Sequence, residues 1–250
     1  MDFEKTITLP SRGLFYDGAL PGGEVQIKSM TTQEEKLLAS PINSGTKVID
    51  ILFKRCSSLP ESFPSSKLII YDRFSLLLQI RGLSYGPIYQ ISFVCGECKH
   101  RNYSDVDISA MLSDEVALDD ESEAISEVVL PVCGKTITWR YPTGDDELAA
   151  DKQRSKFRGG SPTDLVEFRV ARQIASIDGT LPQFIDVLTF IRGLAVRDNL
   201  AIRDSMAQHS FGVIEELEFT CNQCGSPTAS MGLPISEDFF RMVSPNTRNR

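Results

Sequence analysis

Near its start the chain has two short segments in which apolar and polar residues alternate. Residues 6–9 and 24–30 both follow this period of two, and a proline with two glycines at 21–23 forms a turn signal before the second segment. Successive side chains of a strand point to opposite faces, so the pattern predicts two strands. Between them lies an apolar cluster, which we interpret as either a small core over the first strand or an exposed docking surface: Leu14, Phe15 and Tyr16.

Three helices are predicted next, from a cap and from apolar spacing. Residues 32–35 (Thr-Gln-Glu-Glu) match a capping box and predict a helix to about residue 39. Residues 46–56 place apolar side chains three and four positions apart, which predicts a second helix with a buried face of Ile49, Leu52, Phe53 and Cys56. Residues 65–79 predict a third, very apolar helix that we expect Gly82 to end.

The middle of the chain favours strands. Residues 89–93 predict a strand, and residues 103–108 alternate as its return strand would. Residues 113–127 carry many acidic and few apolar residues, which indicates a solvated linker or a partly exposed helix. Residues 128–132 and 136–141 flank a turn and predict a hairpin whose inward side chains are Ile137, Trp139 and Tyr141.

Residues 145–208 have a helical pattern throughout. A helix begins at the Ser-Pro-Thr-Asp segment 161–164, with a buried side of Leu165, Phe168, Ala171 and Ile174. Pro182 opens another helix, and a last one covers about 194–208, so the short helices most simply form a small bundle. Residues 211–220 then predict a strand with a partner at 228–231, and a short helix is predicted from residue 236.

Two C-x-x-C pairs are the main chemical signal of the chain. Each follows a strand-like run with an aromatic residue, and together they comprise Cys95, Cys98, Cys221 and Cys224. Four thiolates are a ligand set that tetrahedral zinc accepts, and strand, turn and return strand used twice is the layout of a zinc ribbon. The sequence therefore predicts a closed, structural zinc site that joins remote parts of the chain.

Other interpretations of the cysteines stay open at this level. Four reduced core cysteines, a redox pair or an iron site are the alternatives. His100 could replace a thiolate, and Cys133 is a weak fifth candidate ligand, whereas Cys56 fits a small core residue on a helix face.

Composition narrows the function classes. The chain of 250 residues is 41% hydrophobic and 24% charged, which is typical of a globular protein. Its net charge of −8 argues against binding nucleic acid. No apolar run reaches the roughly 18 residues of a membrane helix, and the first residues lack a signal-peptide pattern. We therefore expect folding in the cytoplasm, where thiols stay reduced and favour metal over disulfides.

The sequence offers only weak catalytic motifs. Residues 82–86 match G-x-S-x-G around Ser84, but a helix-like run precedes the serine where a strand is needed. Residues 134–136 imitate the end of a phosphate-binding loop, yet Val129 stands where its first glycine should be. Acidic residues 145–147 suit a helix N-terminus, and the basic run at 152–158 suits a helix C-terminus. We predict that the protein is not an enzyme.

Three segments near the start form a distinctive ordered set: residues 9–16 (Leu-Pro-Ser-Arg-Gly-Leu-Phe-Tyr), 22–25 (Gly-Gly-Glu-Val) and 30–37 (Met-Thr-Thr-Gln-Glu-Glu-Lys-Leu). This set resembles the T4-type bacteriophage baseplate protein family, whose members act in the central hub of contractile tails. The resemblance implies a viral protein made and assembled in the host bacterial cytoplasm. It implies either a structural hub subunit in the virion or an assembly factor for the hub or the tape-measure protein that is absent from the virion.

These observations together predict an α+β fold. Its sections are an N-terminal α/β section (1–86), a split zinc ribbon (87–110 and 210–235), an inserted hairpin and helical section (111–209), and a C-terminal helix and tail (236–250). The expected partners are other tail and baseplate hub proteins, with a homo-oligomer as an option and no membrane. A zinc-ribbon accessory protein that binds nucleic acid is the alternative from another class.

Overall fold

Eight α-helices and four small antiparallel sheets make up the part of the chain that the structure describes. The structure is a computed structural model, and it describes residues 3–38, 46–118, 126–156, 162–214, 216–228, 231–235 and 237–240. Helices and antiparallel strands therefore occur side by side, which confirms the α+β class. Within these ranges no helix combines the length and the hydropathy that crossing a bilayer requires.

The N-terminal section pairs two strands and then continues as helices. Strand β1 (Lys5–Thr8) lies antiparallel to β2 (Glu24–Ile27). Helices α1 (Thr32–Leu38) and α2 (Thr46–Cys56) follow at the predicted places. The capping box predicted at residues 32–35 was wrong by one residue: Thr31 caps α1, and its N–H donates to Glu34.

Helix α3 (Ile70–Tyr85) begins after a short 3-10 turn at Ser65–Lys67. The expectation that Gly82 ends this helix was wrong, because a single glycine costs a helix only about 1 kcal/mol and the buried packing of α3 outweighs it. Gly86 ends the helix instead, with a φ of 84° that favours glycine.

The next section is a long hairpin that leads into and out of the first cysteine pair. Strand β3 (Ile88–Val94) pairs along its whole length with β4 (Arg101–Asp107). A short helix α4 (Ile108–Ser113) follows, and Asp107 caps it by accepting hydrogen bonds from two main-chain N–H groups. In the segment predicted to be a linker, Val116 exchanges two main-chain hydrogen bonds with Gly212; residues 119–125 of that segment lie outside the described residues.

A three-stranded sheet consists of the predicted hairpin and one further strand, which interrupts the section 145–208 predicted to be entirely helical. Its strands, in spatial order, are β5 (Ser126–Val129), β6 (Thr136–Trp139) and β7 (Ile174–Ile177). The predicted hairpin is confirmed, but the placement of Ile174 on a helix was wrong. The helix before it ends one residue earlier, and Ile174 instead pairs with Trp139 while staying buried.

The section also contains four helices, of which α8 contacts β5: α5 (Gly144–Lys156), α6 (Pro162–Gln173), α7 (Phe184–Gly193) and α8 (Val196–Gln208). The described residues of the C-terminal part form only short strands and a 3-10 helix. The strand predicted at 211–220 is reduced to β8 (Glu216–Leu217), which pairs with β9 (Met231–Gly232). A 3-10 helix at Glu237–Phe240 stands where a short helix was predicted.

One apolar core connects these parts. Fully buried side chains come from the first strand region, α3, the hairpin, α8 and the C-terminal turn: Leu9, Leu76, Trp139, Ile202 and Phe239. Phe15 packs edge-on against Tyr141, and Tyr16 is buried. For these two residues the core interpretation is confirmed and the docking-surface interpretation is wrong, whereas Leu14 is partly exposed.

Candidate metal centre

The fold brings the two cysteine pairs together at one point. One sulfur from each of Cys95, Cys98, Cys221 and Cys224 forms a group in which all sulfurs lie within 4.8 Å of one another. The Cys95–Cys224 and Cys98–Cys221 sulfur pairs are 3.7 and 3.6 Å apart. A tetrahedral site with metal–sulfur bonds of about 2.3 Å has sulfur–sulfur edges of about 3.8 Å. The donor set and its spacing therefore fit a tetrahedral thiolate-bound ion such as zinc.

Both cysteine pairs are held by the same main-chain turn, which we call the knuckle turn. The carbonyl of the first cysteine accepts a hydrogen bond from the N–H four residues later, at Lys99 or Gly225. Its N–H donates to the carbonyl five residues later, at His100 or Ser226. Lys99 and Gly225 both have a positive φ, so the left-handed position recurs in each turn. The two half-sites therefore have matching backbones although their sequences differ.

Asn102 links the two knuckle turns and was not identified from the sequence. It lies on β4 and is almost completely buried. Its side-chain amide donates to the sulfur of Cys221 and to the carbonyl of His100, and its side-chain oxygen accepts from the N–H of Asn222. A side chain that hydrogen-bonds to a candidate ligand in this way orients the ligand and so affects the affinity of the site for a metal. Asn102 lies just before the return strand predicted at residues 103–108, and no sequence pattern marks it.

The surroundings of the thiols give them different pKa values. Main-chain N–H groups of Cys224 and Gln223 point at the sulfur of Cys221 and lower its pKa to about 6. The hydroxyl and N–H of Ser226 lower the pKa of Cys224. For Cys98 the N–H of His100 lowers the pKa, but desolvation and the three neighbouring sulfurs outweigh it and raise the pKa to about 12. Four thiolates this close repel one another, so a bound cation is what would stabilise all four.

The first cysteine of each pair is buried, whereas the second is exposed. A metal bound here would take all four positions from protein sulfur, which is the closed shell of a structural site. Such an ion has no free position for water, so the chemistry that it would supply is cross-linking.

His100 and the two other cysteines contribute no side-chain atom to this group. The main chain of His100 is part of the first knuckle turn, and its side chain is exposed. Cys56 is fully buried on α2, and desolvation raises its pKa to about 12, as expected for an inert core thiol. Cys133 is exposed and lies in the hairpin between β5 and β6.

That hairpin contains a third copy of the knuckle turn without a thiolate pair. The carbonyl of Leu130 accepts from the N–H of Gly134, and its N–H donates to the carbonyl of Lys135, the same pattern as at the cysteine pairs. Gly134 again has a positive φ. Leucine stands where the first cysteine would be, and Cys133 stands where the second would be.

In this third turn a carboxylate occupies the position of the missing sulfur. The N–H groups of Val132 and Cys133 donate to the two oxygens of Asp198, at 2.7 and 3.1 Å. Asp198 is buried at the start of α8. Successive N–H groups in such a turn form a small anion-binding concavity. The knuckle turn thus presents N–H groups to an anion, which is the thiolate of Cys221 at the metal centre and Asp198 here.

The residues of the weak catalytic motifs form hydrogen bonds and ion pairs that support the fold. Ser84 lies in the last turn of α3, where its hydroxyl donates to the carbonyl of Ile80 and accepts from the N–H of Met30. Among the acidic residues at 145–147, Asp146 caps the start of α5 through Thr143 and forms ion pairs with Arg140 and Arg172. Its first-turn position was predicted, but the two arginines were not.

The basic run at 152–158 is described in part. Arg154 is exposed and forms a loose ion pair with Asp151. Arg158 and the side chain of Lys156 lie outside the described residues.

Comparison with known proteins gives one match. The model of the family described as T4 bacteriophage base plate protein matches residues 11–241. This range includes both cysteine pairs and extends far beyond the N-terminal segments that carried the resemblance. Neither the curated proteins nor the solved structures give a match.

Proposed function

We propose a role that starts from one fact: this chain belongs to the T4 bacteriophage base plate protein family, whose model spans nearly all of it. The chain is therefore a base plate protein of a phage tail, and its partners are other base plate proteins. We propose further that it acts in the central hub of a contractile tail, as a structural subunit made and assembled in the host cytoplasm. The family match carries this proposal.

We propose that the four cysteines bind a structural zinc ion in this subunit. Cys95, Cys98, Cys221 and Cys224 supply the ligand chemistry that zinc prefers, and their sulfurs are spaced as a tetrahedral site requires. The ion would join β3 and β4 to the region after α8 and so hold the segments on either side of residues 99–220 together. We also retain the four-section division of the chain as a proposal.

We propose that the role is non-enzymatic. Ser84, the serine of the nucleophile-like motif, donates to the carbonyl of Ile80 in its own helix and accepts from the N–H of Met30. A metal with four protein sulfurs has no open position for substrate. The net charge of −8 also speaks against the alternative of a zinc ribbon that binds nucleic acid.

Mass spectrometry of purified virions tests the structural role. We expect peptides of this protein in intact particles, at a constant ratio to other base plate proteins. An assembly factor that leaves before completion would be present in infected-cell lysates and missing from the particles. Absence from virions would therefore replace the subunit proposal by the assembly-factor proposal.

A phage with an amber codon in the gene for this protein tests the base plate role more directly. We expect lysates without complete base plates, and rescue by a plasmid that supplies the wild-type chain. A plasmid encoding Cys98→Ser should fail to rescue, whereas Cys133→Ser, which changes another exposed cysteine outside the group, should rescue fully. Normal infectious particles from the unrescued amber phage would refute the proposal.

A further inference from the structure

Strands β3 and β4 form a two-stranded ribbon, so each of them has an outer edge that the other strand does not cover. Along an antiparallel pair, residues that hydrogen-bond to the partner strand alternate with residues whose N–H and carbonyl groups point outward. The N–H of Cys95 donates to the carbonyl of His100 at one end of the ribbon, and the N–H of Ile108 donates to that of Pro87 at the other end. Both pairs follow the register of the residues between them, so they fix which residues point outward.

The outer edge of β4 is the open one. Its outward main-chain groups belong to Arg101, Tyr103 and Asp105, whose side chains are exposed. These groups have no hydrogen-bond partner in the part of the chain that the structure describes. On the edge of β3, by contrast, the carbonyl of Ile88 already accepts a hydrogen bond from the guanidinium of Arg81 on α3. A row of unpaired N–H and carbonyl groups makes an edge strand a template for pairing with another strand.

The charges on this edge determine which strand can pair with it. Arg101 lies two residues before Tyr103, and Asp105 lies two residues after it. When a second copy of β4 lies antiparallel with its Tyr103 opposite Tyr103, each Arg101 stands opposite Asp105 of the other copy. Opposite charges directly across two strands stabilise the pair, and like charges destabilise it. Charges of a single sign would protect the edge from a second copy, whereas this arrangement is complementary to itself.

The same residues specify one register. Because only alternate residues point outward, each neighbouring register is displaced by two residues. One displacement places Arg101 opposite Tyr103 of the other copy, and the other displacement places Asp105 opposite that tyrosine. Only the register centred on Tyr103 gives both charged side chains a partner of opposite sign. It also brings the two tyrosine rings together as a cross-strand aromatic pair, which adds stability.

We propose that two copies of this chain associate through the outer edges of β4 and form a four-stranded antiparallel sheet with a two-fold axis at Tyr103. The contact is isologous, because the same edge of each copy meets the other. This inference goes beyond the base plate role and does not depend on it, since both edges belong to this chain. One strand pair is small beside a standard protein interface, so the dimer dissociates on dilution.

Sedimentation velocity of the full chain tests the association. The protein concentration is raised to about 1 mM, the weak end of the usual Kd scale. The buffer contains about 0.15 M salt, because each copy has a net charge of −8 and this salt limits electrostatic repulsion to about 8 Å. We expect a monomer at low concentration and a dimer at high concentration. A protein that stays monomeric over the whole range would overturn the proposal.

Charge reversal tests the register. Arg101→Asp and Asp105→Arg each create like-charged pairs across the axis, so each variant alone should dimerise at least about tenfold more weakly. An equimolar mixture of the two variants should form a heterodimer as readily as the wild type dimerises, because opposite charges face each other again. The double variant R101D/D105R should likewise dimerise normally. Glu127→Arg, which reverses an exposed charge on the edge strand β5, is the matched control and should leave dimerisation unchanged. Thermal unfolding of each variant verifies its fold.

Amide hydrogen exchange, followed by NMR, locates the interface. The outward N–H of Tyr103 should exchange more slowly as the protein concentration rises, because it is hydrogen-bonded only in the dimer. The N–H of Ser92, which points outward from β3, should keep its rate. Protection of Ser92 instead of Tyr103, dimerisation that survives both single charge reversals, or a mixture that fails to restore it would overturn the proposal. None of these results bears on the base plate role, which the virion and amber experiments decide.

Discussion

Removal of the proposed metal ion is the perturbation for which the structure gives the clearest magnitude. The sulfurs of Cys98 and Cys221 are 3.6 Å apart in space, and the two residues are 123 positions apart in the chain. An unfolded chain that kept all four sulfurs on one ion would have to close that long loop. The chain-entropy estimate for such a closure is about 5 kcal/mol. The metal should therefore favour the folded state by about this amount.

For a protein of this size, about 5 kcal/mol corresponds to a fall in Tm of about 10–20 °C. The assay begins with elemental analysis of freshly purified protein, for which we expect one zinc ion per chain. The protein is then treated with a chelator under reducing conditions, loss of the metal is verified, and both forms are compared by calorimetry. Cys98→Ser should match the metal-free form, and Cys133→Ser should match the untreated protein.

Two results would refute the reasoning. The first is purified protein that contains no transition metal and does not bind added zinc although its thiols are reduced. The second is protein whose metal has been verifiably removed and whose Tm is unchanged. The second result would mean that packing alone holds the two cysteine pairs together and that the cross-link adds nothing to stability.

Three further predictions concern residues around this centre and in the core. Asn102→Ala should weaken metal binding about 10–100-fold, as measured by competition with a coloured chelator. Asp198→Ala leaves two N–H groups of the third knuckle turn unpaired and should lower the free energy of unfolding by about 1–3 kcal/mol, as measured by urea denaturation; an unchanged midpoint would contradict this. Asp72 lies in the first turn of α3, is completely buried and accepts a hydrogen bond from the N–H of Ser11. Burial raises the pKa of Asp72 from 3.8 to about 6, so its contribution to stability is full below about pH 4 and is lost as pH rises through about 6. The loss is about 3 kcal/mol, and Asp72→Asn should abolish this part of the pH dependence in denaturation curves at pH 4–7.

The sequence predicted best what depends on local chemistry. The helix at 46–56 and the hairpin around Cys133 are set by nearby residues, and both are found at their expected places. The capping box predicted at residues 32–35 lies one residue earlier, because Thr31 and Glu34 make its reciprocal hydrogen bonds. The C-x-x-C spacing likewise identified the four cysteines that the fold brings together. In these cases a period, a cap or a turn residue suffices.

The errors arise where distant contacts decide. Ile174 continues a helical spacing, but pairing with Trp139 turns its segment into a strand. Gly82 lies in a helix because the surrounding core favours continuing it. Asn102 has no periodic signal, since its role depends on Asn222 and Cys221 being brought beside it. Tertiary packing outweighs local propensity at each of these positions.

The recurrence of the knuckle turn bears on the order of folding and metal binding. Residues 130–135 adopt this turn beside a carboxylate, so the backbone shape does not depend on an ion being present. Each cysteine-bearing hairpin can therefore take its final form as soon as its own residues have been synthesised. If the site binds zinc as we propose, capture of the ion is then a late event that requires only that the two preformed cysteine turns meet. In a host starved of zinc, we expect newly made chains to be largely folded. Their two cysteine pairs would not be joined, so the segments on either side of the inserted section would not be held together there.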